Sequence, residues 1–303
     1  MDINHMSLSK HLQTSGLLSR IAGMAPEHLK EVVMDLGTAW YREHHEERDV
    51  IGRNLEAFGL DSSPSTIDAV VENTILHYFE KLLPLAGDIA LYAEFLSSRI
   101  DGIVAVSALK ESLASPRGVC LAAAHFGAVE FITPFLAARK LPMNVVLKFT
   151  TEQLSAAAQQ QAIAMEQSGL FSLINIIELG RPKTVAAMQM AAALRRREIV
   201  LSVFDEKTPY SKPVELFGRG VWGGAGIDRM ISFANTPVDL FAAFMVREGT
   251  ERYRLELHKI DTGDDGRIEA IYRALQTVVT RHPAQWYFLH EEIPFVGEVV
   301  SRQ

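Results

Sequence analysis

The feature that most constrains the fold is a mostly apolar segment at residues 118–138 that carries His125 and Glu130 near its middle. Its length would suit a membrane span, but a charge at the centre of a membrane helix costs roughly 2.5–3.5 kcal/mol on insertion. Gly127 and Pro134 interrupt the segment further. We therefore predict a buried β-strand at 118–124, followed by a helix.

The rest of the chain has the alternating pattern of an α/β protein. Short apolar runs predict strands, and Ala-, Gln- and Leu-rich stretches between them predict helices. The predicted strands are 118–124, 143–149, 173–177, 199–204, 238–245, 253–259 and 286–289, and the predicted helices are 131–139, 151–167, 184–196, 227–233 and 268–280. This order predicts an α/β fold with a central mixed or mostly parallel sheet flanked by helices.

The first hundred residues have helical apolar spacing throughout, for example at Leu29, Val32, Val33 and Leu36. We predict a helical N-terminal subdomain at 1–110 and an α/β domain at 111–303, packed as one compact unit.

Net charge and cysteine content limit the classes of function that the chain could have. The net charge of −7 gives no basic face for nucleic acid, and the single cysteine, Cys120, fits a reducing compartment. The N-terminal stretch lacks the continuous apolar region of a secretory signal. We predict a cytoplasmic protein without metal or cofactor, and leave a peripheral contact with the inner membrane open.

The sequence His125-Phe-Gly-Ala-Val-Glu130 stands where the strand ends and the helix begins. Ligands of open α/β sheets bind at such strand ends. A carboxylate on one imidazole nitrogen fixes the tautomer and leaves the other nitrogen free to accept a proton. The spacing alone also fits a histidine and a glutamate that have no catalytic role.

Several blocks together resemble the lysophospholipid acyltransferase superfamily, in the branch of the bacterial lipid A lauroyl and myristoyl acyltransferases. HFGAVE is similar to the H-x4-D/E box of that superfamily, and 283–290 to a C-terminal Pro-x-Gln-aromatic signature that ends in Leu-His. Three further stretches are more weakly similar to members of that branch. They are 48–58, which contains Asn54 and Leu55, a run of basic residues followed by a strand that ends in Asp205, and the glycine-rich block at 214–244.

The resemblance implies that His125 is the general base and that Glu130 orients it. Substrate-binding residues would be Gly127, Arg181, Asp205 and Gly218, with Arg181 holding an oxyanion or a carrier phosphate. The implied donor is an acyl carrier protein thioester or acyl-CoA, and the acceptor is a lipid-like or small molecule with a hydroxyl or an amine.

Two departures from that branch bear on the acceptor. Its members have an N-terminal membrane helix, which we do not find in this sequence, and basic residues after the terminal histidine, where this chain has Glu291 and Glu292. An acidic pair would repel a phosphorylated sugar lipid. We therefore predict a different acceptor, unless the two glutamates are solvated charges far from the site.

Other functions remain as alternatives. The same site would hydrolyse the thioester if water were the acceptor, and a non-catalytic relative would only bind acyl carriers or lipids. The sequence 218–223 matches G-x-G-x-x-G, but it comes late in the chain and does not follow the first strand of a βαβ unit. We therefore consider a nucleotide-dependent oxidoreductase a distant third.

Overall fold

A computed structural model describes residues 8, 11–12, 16–17, 20–149, 152–179, 183–249, 251–261 and 266–297. The N-terminal region is helical, as predicted. Its helices are α1 (Pro26–Glu43), α2 (His45–Ala57), α3 (Pro64–Leu82) and α4 (Ile89–Arg99), with a 3-10 turn at Leu83–Ala86. α3 is buried along most of its second half, where His77, Tyr78 and Glu80 lie among apolar side chains. These polar groups face the α/β region, so the two regions share one interior.

The α/β region follows the predicted alternation. In chain order it contains β1 (Ile100–Asp101), α5 (Ile103–Ala114), β2 (Gly118–Gly127), α6 (Ile132–Ala138), β3 (Met143–Leu147), α7 (Glu152–Gln167), β4 (Ile174–Glu178), α8 (Lys183–Arg195), β5 (Ile199–Val203), β6 (Ser211–Leu216), β7 (Arg219–Gly224), α9 (Gly226–Ala234), β8 (Val238–Glu248), β9 (Arg252–Lys259) and α10 (Arg267–Arg281).

The main sheet has seven strands in the order β1-β9-β8-β2-β5-β3-β4, and only the β8–β9 pair is antiparallel. This confirms the predicted α/β class with a mostly parallel sheet. β2 lies between β8 and β5, and the side chains from Val119 to Ala124 have no exposed surface. The apolar run at 118–124 is thus a central strand covered on both faces, which explains its lack of polar alternation.

One local prediction was wrong, and one element was not predicted. The residues predicted as a final strand at 286–289 form 3-10 turns at Pro283–Gln285 and Tyr287–His290, and only Trp286 makes an isolated bridge, to Phe126. The hairpin of β6 and β7 was not predicted. It contains the G-x-G-x-x-G match, with Gly218 in its turn, so these glycines do not open a helix as a dinucleotide site requires.

Within the described part of the chain, no helix has the length and apolar character needed to cross a membrane. The segment at 118–138 is instead divided between β2, a 3-10 turn at Val129–Phe131 and α6. The division of the chain near residue 110 stays a prediction.

Candidate active site

His125 reaches the surface because β2 changes its register at its carboxyl end. Ala123 pairs with Ala243 of β8, but Gly127 pairs with Met245, so extra β2 residues bulge out of the ladder. Gly127 has φ 56°, and a Cβ on it would lie 2.0 Å from the carbonyl oxygen of Met245. Glycine is therefore required at this position. The bulge leaves the His125 side chain 18% exposed, although it follows a fully buried run.

Asp205 holds the imidazole of His125. It follows β5, whose parallel pairing with β2 brings both strand ends to the same edge of the sheet. The Asp205 Oδ1 atom lies 2.9 Å from His125 Nδ1, while Oδ2 accepts the backbone N–H of His125 at 2.8 Å and the indole N–H of Trp286 at 3.2 Å. The Asp205 side chain has no exposed area. The residue predicted to bind substrate therefore lies behind the histidine and orients it.

The other imidazole nitrogen of His125, Nε2, is the one that Asp205 leaves free. Its nearest charged group is Glu206, with Oε1 3.5 Å from Nε2 and a side chain that is 49% exposed. Burial by itself would lower the pKa of His125, but the charge and hydrogen bond of Asp205, then Glu206 and Glu130, raise it to about 9. The resting imidazole thus favours its protonated form at neutral pH.

Glu130 lies beside this site but does not make the predicted contact. It stands in the 3-10 turn after β2, and its side chain is 36% exposed. Its Oε1 atom is 3.8 Å from Nε2 of His77, and no hydrogen bond or ion pair of the described residues joins it to His125. The expected contact between imidazole and carboxylate is made by Asp205, because a neighbouring parallel strand ends closer to Nδ1 than the turn five residues later. Glu130 acts on His125 through its charge.

The C-terminal signature forms a wall of the site. The ring centroids of Phe288 and Tyr287 lie 5.1 Å and 6.2 Å from that of His125. The hydroxyls of Tyr287 and Tyr78 are 2.8 Å apart, and the Asn54 amide donates to the carbonyl oxygens of Leu289 and Glu291. The C-terminal signature thus joins the block that contains Asn54 to the HFGAVE box, and Asp205 brings a fourth block to the same histidine.

The two glutamates after His290 differ in position. Burial raises the pKa of Glu291, and the charge of His125 opposes that rise, which places this carboxylate within electrostatic reach of the imidazole. Glu292 is exposed and lies 3.9 Å from Arg53. Of these two glutamates, Glu291 is the one within electrostatic reach of His125.

A buried ion pair that sequence reasoning missed supports the bulge. Arg247 of β8 donates to both carboxylate oxygens of Glu80 at 2.7 Å, to Asn73 Oδ1 at 2.8 Å and to the carbonyl oxygen of Gly127 at 2.8 Å. Gln285 accepts from the backbone N–H of Arg247 and donates to its carbonyl oxygen. An arginine in a buried apolar strand was the available signal, since such a charge needs a partner.

The remaining predicted site residues either lie apart from His125 or fall outside the residues that the structure describes. Gly218 occupies the β6–β7 turn with φ 72°, and no described contact joins it to His125. Arg181 lies outside the described residues.

The crevice beside the site is narrow and is lined by His77, Gly127, Arg247 and neighbours, whereas a cavity of about 470 Å³ lies among the N-terminal helices. Neither the crevice nor the cavity is lined by His125, so a groove that binds the acyl chain stays a prediction.

Comparison with known proteins identifies the family of the chain. No curated protein sequence matches the chain significantly. A family model does, and it spans residues 11–293, from the first helical residues to just beyond the wall formed by Tyr287 and Phe288. The chain therefore belongs to the bacterial lipid A biosynthesis acyltransferase family.

Proposed function

We propose that the protein transfers a fatty acyl group from an acyl carrier protein thioester, or from acyl-CoA, to a hydroxyl or amine of a lipid or biosynthetic intermediate. The observation that carries the proposal is the imidazole of His125, which a buried carboxylate holds at Nδ1 and whose side chain is 18% exposed. Family membership supports acyl transfer to a lipid. The identity of the donor and the roles of single residues belong to the proposal.

In the proposed mechanism, neutral His125 accepts the proton of the acceptor at Nε2 as the acceptor oxygen or nitrogen attacks the thioester carbonyl. Asp205 keeps the proton of the neutral imidazole on Nδ1 and stabilises the imidazolium that forms. The tetrahedral intermediate collapses with cleavage of the C–S bond, and the imidazolium returns its proton to the leaving thiolate. No covalent bond to the enzyme is formed.

Glu130 and Arg181 have supporting roles in this proposal. The Glu130 charge stabilises the imidazolium, and backbone N–H groups or Arg181 hold the oxyanion of the intermediate. The role of Arg181, like those proposed for Gly127 and Gly218 in substrate binding, rests on the resemblance to the family.

The carboxylates around His125 bear on the acceptor. Glu206 is within 3.5 Å of Nε2, and Glu291 is within electrostatic reach of the same ring. An acceptor phosphate at this place would meet like charge, which disfavours binding. We therefore propose an acceptor whose reacting end is not phosphorylated. Efficient transfer to phosphorylated lipid A precursors would contradict this choice.

The test uses purified protein with a long-chain acyl carrier protein or acyl-CoA and a panel of hydroxyl and amine acceptors, with products identified by mass spectrometry. We expect an acylated acceptor from the wild type and near-complete loss with His125→Ala. The matched control is His258→Phe, which replaces a partly buried histidine outside the site. Thioester loss without an acylated product would instead indicate a hydrolase. An unchanged rate in His125→Ala would refute the proposed base.

A further inference from the structure

A second histidine lies next to the site and has no role in the mechanism so far. His77 comes from α3, in the N-terminal helical region, and its side chain is only 6% exposed. Its ring centroid is 4.4 Å from that of Tyr287, which in turn packs 6.2 Å from His125. Its Nε2 atom is 3.8 Å from Oε1 of Glu130. The His77 ring is thus in direct reach of the carboxylate in the HFGAVE box.

The hydrogen-bonding state of His77 indicates how it acts. Burial, then the charges of Lys81, His125 and Arg247, hold the pKa of His77 well below its ordinary value, so the ring is neutral. Nδ1 is buried and has no hydrogen-bond partner among the described residues. A neutral imidazole has one N–H. Glu130 offers the available acceptor, so the arrangement favours the proton on Nε2.

An unpaired polar nitrogen in the interior costs free energy that an apolar ring of the same shape would avoid. Phenylalanine would keep the packing against Tyr287 without that cost. The histidine is therefore better explained by its N–H group than by its ring. The separation of 3.8 Å is longer than a hydrogen bond, and Glu130 needs to approach by about 1 Å to form one. Contacts of this kind often tighten when the substrate binds.

We propose that His77 is a positioning residue, which holds the carboxylate of Glu130 beside His125 by donating Nε2–H to it. This inference rests on the proposed function and deepens it. It means that the active site is built from both regions of the chain: the strand end supplies His125, and α3 supplies the group that fixes Glu130.

Two single variants separate hydrogen bonding from packing. His77→Phe keeps an aromatic ring against Tyr287 but removes both nitrogens, whereas His77→Gln loses the ring and keeps an N–H donor of similar reach. We expect kcat/KM to fall by up to about 10²-fold in His77→Phe, the cost of a displacement of about 1 Å near the reacting groups. His77→Gln should recover much of that loss. The opposite order would show that the ring only packs, and would overturn the proposal.

A double-variant cycle tests whether His77 acts through Glu130. In the Glu130→Gln background, His77→Phe should cause little further loss, since the carboxylate that it positions is already gone. Additive losses would overturn the proposal. His258→Phe serves as the control, and thermal unfolding with circular dichroism shows whether each variant folds.

A titration that needs no acyl transfer keeps this test separate from the proposed function. The carboxylates of Asp205, Glu206 and Glu130 raise the pKa of His125, and His77 and Glu291 also lie within electrostatic reach of that ring. By NMR, we expect His77→Phe to lower the pKa of His125 in the wild-type background but not in Glu130→Gln. If the wild type transfers no acyl group yet this shift appears, the proposed function fails and the positioning stands. If transfer occurs and the shift is absent, the positioning fails.

Discussion

Asp205→Asn is the substitution that most directly tests the His125 base. Asp205 Oδ2 accepts two N–H groups, from the His125 backbone and from Trp286. The asparagine oxygen has to take that place, because an NH2 group there would face two donors. Its NH2 then points at Nδ1 of His125 and forces the neutral ring to carry its proton on Nε2. That tautomer cannot accept a proton from the acceptor.

The structure also gives the size of the effect. The surrounding groups raise the pKa of His125 from 6.5 to about 9, which corresponds to about 3 kcal/mol of preference for the imidazolium. Burial acts in the opposite direction, so the carboxylates supply at least this amount. Loss of the Asp205 charge should lower kcat/KM roughly 10²-fold at pH values where His125 is neutral. The change of tautomer adds to that loss.

The assay is the pH dependence of kcat/KM, together with an NMR titration of His125. Because the base has to be neutral, wild-type kcat/KM should rise with pH through about 9. In Asp205→Asn the inflection should move to lower pH, and the rate above it should fall. Asp101→Asn, an exposed position on β1, is the matched control. An unchanged inflection in Asp205→Asn would refute the assignment of Asp205 as the partner of His125.

Two further predictions concern the neighbours of this pair. Glu206→Gln removes a charge that raises the pKa of His125, so the rising limb of the pH profile of kcat/KM should move to lower pH. The shift should be smaller than in Asp205→Asn, because Glu206 is half exposed. A shift to higher pH would contradict this. Arg247→Met leaves Glu80 buried without its partner and should lower the free energy of unfolding by about 3–5 kcal/mol in urea titrations. The double variant with Glu80→Leu should be less destabilised than Arg247→Met alone, and equal losses would refute the pairing.

The general architecture could be predicted because it depends on local patterns. Short apolar runs between helical stretches have few stable arrangements other than a parallel sheet covered by helices. The residues at 118–124 illustrate this, since their lack of polar alternation predicted a strand buried on both faces. The 3-10 turns at Pro283–Gln285 and Tyr287–His290 escaped prediction. The short apolar run there was read as a strand, but its Trp286 and Phe288 pack against Phe58 and His125 instead.

The partner of His125 shows the limit of local reasoning. Glu130 is five residues away in sequence, and on that basis it was the expected partner. The carboxylate that contacts the ring is Asp205, eighty positions later, because β2 and β5 are adjacent parallel strands and their carboxyl ends share one edge of the sheet. Similarly, the pair of Arg247 and Glu80 joins β8 to α3 across 167 positions.

The sequence by itself determined that a histidine stands at the end of the most apolar strand, that a carboxylate follows it five positions later, and that the fold around them is α/β. Those properties depend on the order of neighbouring residues, which periodicity and composition reveal. Only the tertiary structure decided which carboxylate holds His125, which imidazole lies beside Glu130, and which ion pair supports the Gly127 bulge. Each of these is a contact between segments far apart in the chain, and its geometry depends on strand order and helix packing.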